Sequence, residues 1–271
     1  MRSKTIDMNK LPERTALVTG AGSGLGRTIA VALAQETRTV VIVGRREDRL
    51  RETESKIAAA MTPARVEIFS ADISSEPDVI ALDELLTEKN LAPDILVNNA
   101  GIHGYITSIE ESDPTRWMET LSTNLFGPYL LTRMALRYMK RSCWGRIINV
   151  SSASSLSVGN IGSEYSLSKV ALNHFTRQVA KEVAGIEISA TAIHPGEVKT
   201  EMWETIRDDA NSRGESGAGA REWSKMVGES GGDPPEKAAE LVVRIARSDA
   251  VDVNDRFMWI RDGIQASREV W

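Results

Sequence analysis

A short apolar run, Thr15-Ala16-Leu17-Val18-Thr19, leads straight into the glycine-rich stretch Gly20-Ala21-Gly22-Ser23-Gly24-Leu25-Gly26, and a helical pattern follows from Thr28 to Ala34. Few folds accommodate that succession. Strand, tight glycine turn and helix start are the parts that bring a pyrophosphate against free backbone N–H groups at a helix N-terminus. The spacing is Thr-Gly-x-x-x-Gly-x-Gly rather than the G-x-G-x-x-G fingerprint.

The chain then keeps alternating. Thr39 to Val43 is a second, almost wholly apolar strand, as a parallel strand covered on both faces requires. It ends at Gly44-Arg45-Arg46, and a charged, alanine-rich helix runs from Glu47 to Ala60. Val66 to Phe69 is a third strand leading to Asp72, Pro77 to Glu88 an amphipathic helix, and Ile95 to Val97 a fourth strand opening into Asn98-Asn99-Ala100-Gly101. A long helix from Thr115 to Met139 carries Asn124 in its interior. Ile147 to Val150 is the fifth strand, ending at Ser151-Ser152; Ile188 to Ile193, the sixth, stops at His194-Pro195-Gly196; Arg256 to Ile260 is the last. From Glu201 to Asp233 the composition shifts to glycine, serine and charge around Met202, Trp203, Trp223 and Met226, which reads as a long loop with a functional use. Pro234-Pro235 restarts a helix.

Strands alternating with helical crossovers indicate an α/β fold: a doubly wound parallel sheet of about seven strands with helices on both faces. No repeat or linker divides it, so residues 14–271 read as a single domain behind a polar arm, residues 1–13. In such sheets ligands gather beyond the carboxyl ends of the strands. Gly20, Arg45, Asp72 and Asn99 all fall there.

Lys and Arg number 33 against 38 Asp and Glu, a formal charge of -5, so no basic field favours nucleic acid or an anionic membrane. Cys143 is the only cysteine, which rules out an internal disulfide and a cysteine-built zinc site, and three scattered histidines offer no metal spacing. The N-terminus has no apolar core of signal-peptide length and no run approaches a bilayer span. The expectation is a soluble, cytoplasmic protein without metal.

Tyr165-Ser166-Leu167-Ser168-Lys169 sets a phenol and an ammonium four residues apart, one above the other on a helix face. A phenol ordinarily has a pKa of about 10. A neighbouring ammonium favours the phenolate and pulls that value down, which suits Tyr165 to general acid or base work. Leu172, Phe175, Val179 and Val183 mark the apolar face of the same helix.

Taken together, Thr19 to Gly26, Asn98-Asn99-Ala100-Gly101, Asn124, and Ser152 thirteen residues before the Tyr165/Lys169 pair resemble the short-chain dehydrogenase/reductase family, from Arg14 to Gly263. The resemblance implies a Rossmann-type fold, hydride transfer between a nicotinamide and a carbon bearing oxygen, and a small carbonyl or alcohol substrate. It implies four catalytic residues. Ser152 would hydrogen-bond the substrate oxygen, Tyr165 would deliver the proton, Lys169 would hold the nicotinamide ribose, and Asn124 would bind a water linking Lys169 to solvent. For the cofactor it implies Gly20, Ser23, Gly24, Leu25 and Gly26 at the turn and Asn99, Ala100 and Gly101 beside it. Asp72 with Ile73 would lie at the adenine, although Asp72 alone could begin a turn. Pro195, Gly196, Val198 and Thr200 would hold the nicotinamide. Family members commonly assemble, which implies a homodimer or homotetramer.

Some readings stay open. His103 either faces substrate or is an exposed loop residue; His194 reads as packed and His174 as a surface residue. Met202 and Trp203, with the other large residues of 201–233, either contact substrate as a lid or form the lid's own core. The cofactor expectation is sharper. An NAD enzyme of this kind needs an acid at the end of the second strand to accept from the ribose hydroxyls and repel a 2′-phosphate. Gly44 stands there, and Arg45, with Arg46 as a second partner, can meet the phosphate with a planar fork of donors. NADP(H) is therefore expected. The rivals are an NAD-dependent alcohol dehydrogenase on the same scaffold and a nucleotide-binding sensor without turnover.

Overall fold

The computed structural model describes residues 13–158 and 162–265. Most of the polar arm expected over residues 1–13 lies outside them. Among the described residues, seven parallel strands form one sheet in the order β3-β2-β1-β4-β5-β6-β7. They are β1 Thr15–Thr19, β2 Thr39–Gly44, β3 Arg65–Ser70, β4 Ile95–Asn98, β5 Trp144–Val150, β6 Glu187–His194 and β7 Arg256–Trp259. The helices are α1 Gly24–Ala34, α2 Glu47–Ala59, α3 Glu76–Glu88, α4 Pro114–Leu121, α5 Gly127–Ser142, α6 Ser163–Glu182, α7 Glu201–Ser212, α8 Ala218–Ser230, α9 Pro235–Arg247 and α10 Ala250–Val253.

The period-2 pleat sorts the strand residues into two cores. Ala16, Val18, Val40, Ile42, Ile95 and Val97 pack with Ile29 and Leu33 of α1, Leu50 of α2 and Val242 of α9. Leu17, Val41, Leu96 and Ile147 face the other way, onto Leu82 of α3, Leu131 of α5 and Val179 of α6. Both faces of the sheet are thus covered, which is why these strands are apolar throughout. After β3 the chain crosses back to place β4 beside β1, so the strand order reverses between β1 and β4 and a crevice opens beyond their carboxyl ends.

Three expectations change. The first helix starts at Gly24, one turn earlier than its apolar pattern, because the glycine turn itself forms the first turn. The long helix around Asn124 is broken by a π turn, Ser122–Phe126, between α4 and α5. The stretch 201–233 is no structureless loop but a helical pair, α7 and α8. Its glycine and charge conceal two short helical stripes, Met202, Ile206, Ala210 and Ala220, Trp223, Val227. Ile206, Ala210 and Ala220 form a small core with Ile106, flanked by Met202 and Trp223. Thr200 caps α7 by accepting from the Trp203 N–H at 3.4 Å.

Candidate active site

The crevice is a cleft of about 820 Å³ bounded by the loops after β1, β2, β3, β4, β5 and β6 and by α7 and α8. At one end lies the glycine turn. Gly20 has φ +63, and a Cβ there would sit 2.8 Å from the Ala100 Cα; a Cβ on Gly26 would collide with the Gly20 carbonyl and the Asn99 amide. Glycine is required at both for the turn to lie flat against the β4 loop. The contact is locked by Thr19, whose hydroxyl accepts from the Asn99 and Ala100 N–H groups at 3.1 and 3.0 Å, and by Asn99, which donates to the Thr19 carbonyl at 2.9 Å. Asn99 therefore spends its amide on the scaffold. Gly20, Ser23, Gly24, Leu25, Gly26, Ala100 and Gly101 nonetheless all line the cleft.

Arg45 and Arg46 also line it, as do Asp72 and Ile73. Arg46 Nη2 meets Glu201 Oε2 at 2.8 Å and Ser23 Oγ at 3.4 Å, and Ser23 Oγ donates to the same carboxylate oxygen at 3.3 Å. The Arg46 pairing holds the Glu201 carboxyl below its usual range, and Ser23 adds to that. Asp72 does begin a turn: its Oδ1 accepts from the Ser74 N–H at 2.9 Å and hydroxyl at 2.6 Å. Burial pushes its carboxyl up, but these bonds and the nearby Arg45 outweigh burial and leave it low.

Ser152, Tyr165 and Lys169 meet at the middle of the cleft. Ser152 lies two residues past β5 and caps a short 3-10 turn, accepting from the Ser154 N–H at 3.2 Å. The next N–H, of Ala153, donates to His194 Nδ1 at 3.2 Å, so His194, packed on Trp259 at 4.5 Å between ring centroids, fixes this corner. Lys169 is buried, donates to the Val150 carbonyl at 2.9 Å, and lies 5.6 Å from the centre of the Tyr165 ring. Burial pushes its ammonium down to about 8. The Tyr165 phenol shifts opposite to expectation. Burial raises it, the Ser152 hydroxyl opposes, and the Glu197 carboxylate raises it further. Burial is the largest effect, and Lys169 Nζ is directed at the Val150 carbonyl.

Asn124 does not line the cleft; it is fully buried. Its Oδ1 accepts from the Ile102 N–H at 2.9 Å, while Nδ2 donates to the Ile102 carbonyl at 2.8 Å and the Ser168 hydroxyl at 3.0 Å. Both amide hydrogens are used. The side chain thereby ties the β4 loop to α6, one residue from Lys169, and leaves a single acceptor lone pair for any water.

The rest of the wall consists of Pro195, Gly196 and Val198 with Met202, Trp203, Trp223, His103 and Tyr105, while Thr200 reaches back to the glycine turn, where a Cβ on Gly24 would sit 3.1 Å from its Cγ2. His103 is 8 % exposed rather than a surface residue, burial pushes its imidazole pKa down, and its Nδ1 has no partner. Met202 and Trp223 serve both uses weighed for them, packing on the α7–α8 core and lining the cleft. His174 is exposed.

Residues 14–211 match the family model of the short chain dehydrogenase. This chain belongs to the short-chain dehydrogenase family. It is 35% identical over 208 residues to a 3beta-hydroxysteroid dehydrogenase of Mediterraneibacter gnavus, covering 76% of this chain and 74% of that protein. With a D-beta-hydroxybutyrate dehydrogenase of Cupriavidus necator it shares 37% over 189 residues, 70% of this chain and 72% of the relative. The structure of a variant of the actinorhodin polyketide ketoreductase with NADPH matches at TM-score 0.82 and 28% identity, covering 93% of this chain and 97% of that one. The dehydrogenase is thus an oxidoreductase on a Rossmann-like sheet. Among its described residues no helix is long and apolar enough to cross a membrane, and no group of three acidic, His or Cys side chains could hold a metal.

Sequence reading passed over Glu197 and Glu201 in this dehydrogenase. Glu197 lines the cleft between Gly196 and Val198, and its Oε2 accepts from the Trp223 indole N–H at 2.9 Å. Its place inside the Pro-Gly-x-Val-x-Thr segment was the available signal. Glu201 carried none, because its partners lie 155 and 178 residues away.

Proposed function

We propose that this short-chain dehydrogenase is an NADP(H)-dependent carbonyl reductase with Tyr165 as its proton donor. What supports the reading most is that one cleft joins the Ser152, Tyr165 and Lys169 group to a glycine turn with Arg46 and Ser23 at its edge. The residues fit a dinucleotide. Gly20 and Gly26 leave backbone bare where a pyrophosphate approaches the N-terminus of α1. Arg46 and Ser23 already converge on an anionic oxygen, that of Glu201, as they would on a 2′-phosphate.

When bound, the nicotinamide supplies or accepts the hydride. Ser152 hydrogen-bonds the substrate oxygen as negative charge grows there, and Tyr165 releases its proton to it. A phenol raised by burial stays protonated at neutral pH, which favours reduction. Lys169 holds the ribose, and Asn124 acts by fixing the β4 loop against α6 beside it. Pro195, Gly196, Val198 and Thr200 position the nicotinamide, Asp72 and Ile73 flank the adenine, and α7 with α8 covers the substrate. Assembly as a homodimer or homotetramer belongs to the same reading; exposed Phe126 and Tyr129 before and on α5, and Leu167 and Val170 on α6, support it.

The test is a panel of ketones and aldehydes with NADPH and with NADH. The expected result is carbonyl-dependent oxidation of NADPH, with kcat/KM favouring NADPH by about tenfold or more, the worth of one charge-assisted hydrogen bond. Equal use of NADH would refute the NADP reading, and no turnover with either would refute the enzyme.

A further inference from the structure

The charges lining the cleft are sorted by position. Its guanidinium groups, Arg45, Arg46 and Arg49, all stand around the glycine turn, and the remaining cation, Lys169, is taken up by the Val150 carbonyl. Beyond Tyr165 the described wall contains no lysine or arginine. It contains Glu197. Burial pushes this carboxyl up, the Trp223 indole holds it back, and nearby Asp233 and Arg261 act in opposite directions, so the group is set in place by a donor from α8. Its second oxygen stands 3.9 Å from His194 Nε2, beyond hydrogen-bonding distance. A carboxylate has about four acceptor positions, and Trp223 takes one. The same carboxylate is near enough to Tyr165 to raise the phenol.

A second cavity of about 400 Å³ adjoins the cleft, sharing His103, Tyr105, Glu201 and Thr205 with it; of its carboxylates Glu201 pairs with Arg46, Asp208 with Arg207 and Asp209 with Arg213, and Glu204 completes the rim. An anionic group arriving beside Tyr165 therefore meets the Glu197 carboxylate on a wall whose own lining offers it no lysine or arginine, Arg261 acting on Glu197 from outside that lining, which disfavours it by like-charge repulsion in a partly desolvated place.

We propose that the substrate is an uncharged or cationic carbonyl compound that presents a hydrogen-bond donor, a hydroxyl or an ammonium group, to Glu197, and that carboxylate-bearing substrates are rejected. The inference rests on the reductase reading and deepens it. It also separates this chain from its D-beta-hydroxybutyrate dehydrogenase relative, whose named substrate is a carboxylate.

Four ketones of one chain length test it with NADPH: an amino ketone, a hydroxy ketone, a plain alkyl ketone and a keto acid, each with wild type and Glu197→Gln. The amide keeps an acceptor for Trp223 and loses the charge, so the fold and the lid contact are retained. Wild type should prefer the amino ketone to the plain ketone by at least about tenfold and reduce the keto acid least, and Glu197→Gln should erase the amine's advantage. A keto acid reduced as well as the amino ketone, or an unchanged amine preference in Glu197→Gln, would overturn the inference and leave the reductase standing. No reduction of any of the four, or of the wider carbonyl panel, would count against the reductase reading and take the inference with it.

Discussion

At the glycine-turn end of the cleft the contacts are largely backbone: Gly20 and Gly26 give close approach, Thr19 and Asn99 clamp two loops, and Arg46 with Ser23 offers donors at the rim. At the opposite end side chains from α7, α8 and the β4 loop form the wall, and Glu197 is its charged group beside Tyr165. On the proposed reading one end takes the same group in every turnover, and its parts carry recognisable short motifs, the glycine turn and the Asn98 to Gly101 loop, although the two lie about 80 residues apart. The other is assembled from residues more than a hundred positions apart, as in the Ile106 N–H that donates to Asp209 at 3.0 Å. Selectivity for cofactor and selectivity for substrate therefore reside in separable residues, and substitutions should affect one without the other.

The sharpest break between the two ends should come at their junction. Tyr165→Phe removes the proton donor but no group that holds the cofactor's phosphates. We expect kcat to fall by about two to four orders of magnitude, the usual share of general acid catalysis, with the Kd for NADPH nearly unchanged. Steady-state kinetics and a fluorescence titration of NADPH measure the two separately. Near-normal kcat in a folded variant would remove Tyr165 from the chemistry.

Arg46→Ala should act only at the other end. It removes a charge-assisted donor from the 2′-phosphate and leaves Glu201 facing it, so NADPH should bind about ten to a hundredfold more weakly while NADH changes little. Equal loss for both cofactors would mean that Arg46 shapes the turn rather than reads the phosphate.

The junction should also show in the pH profile. Lys169 has a pKa pushed down to about 8, so its ammonium is present below that pH and lost above it. Tyr165, raised by burial, keeps its proton through the same range. Reduction should therefore decline by about tenfold from pH 7 to 9, and Lys169→Met, though slower, should lack that limb. A limb that persists in the variant would belong to another group.

The sheet was legible because each strand is buried on both faces and so appears as an unbroken apolar run, punctuated by the glycine turn and the Asn98 to Gly101 loop. The Tyr165/Lys169 pair followed from helix spacing, and Ser152 from the resemblance to the family. Less visible were features that depend on contacts distant in sequence. The α7–α8 pair was hidden because its stripes are only three residues long and its core is completed by Ile106 from another segment. The direction of the Tyr165 shift is not visible in the sequence because i,i+4 spacing fixes which face Lys169 occupies but not how deeply the phenol is buried, which is what raises it, nor that the ammonium is drawn to the Val150 carbonyl. The helical stretch around Asn124 is legible in the sequence, yet nothing in the residues marks the π turn that contains it and divides α4 from α5.

The smallest expected effect tests whether the two ends communicate at all. Glu201 is the first residue of α7, so its bond to Arg46 and Ser23 joins the substrate cover to the seat expected for the 2′-phosphate. Phosphate and carboxylate cannot both occupy that seat, and NADPH must displace Glu201 whereas NADH need not. The pair is about half exposed on both sides, so its worth is at most about 1 kcal/mol. Glu201→Gln should accordingly tighten NADPH by no more than about fivefold and leave NADH unchanged. Displacement also frees the first turn of α7. Amide exchange there should be faster in the NADPH complex than in the NADH complex of wild type, and alike in the two complexes of Glu201→Gln. Weaker NADPH binding by Glu201→Gln would reverse the assignment, making the carboxylate a partner of the cofactor and not its competitor.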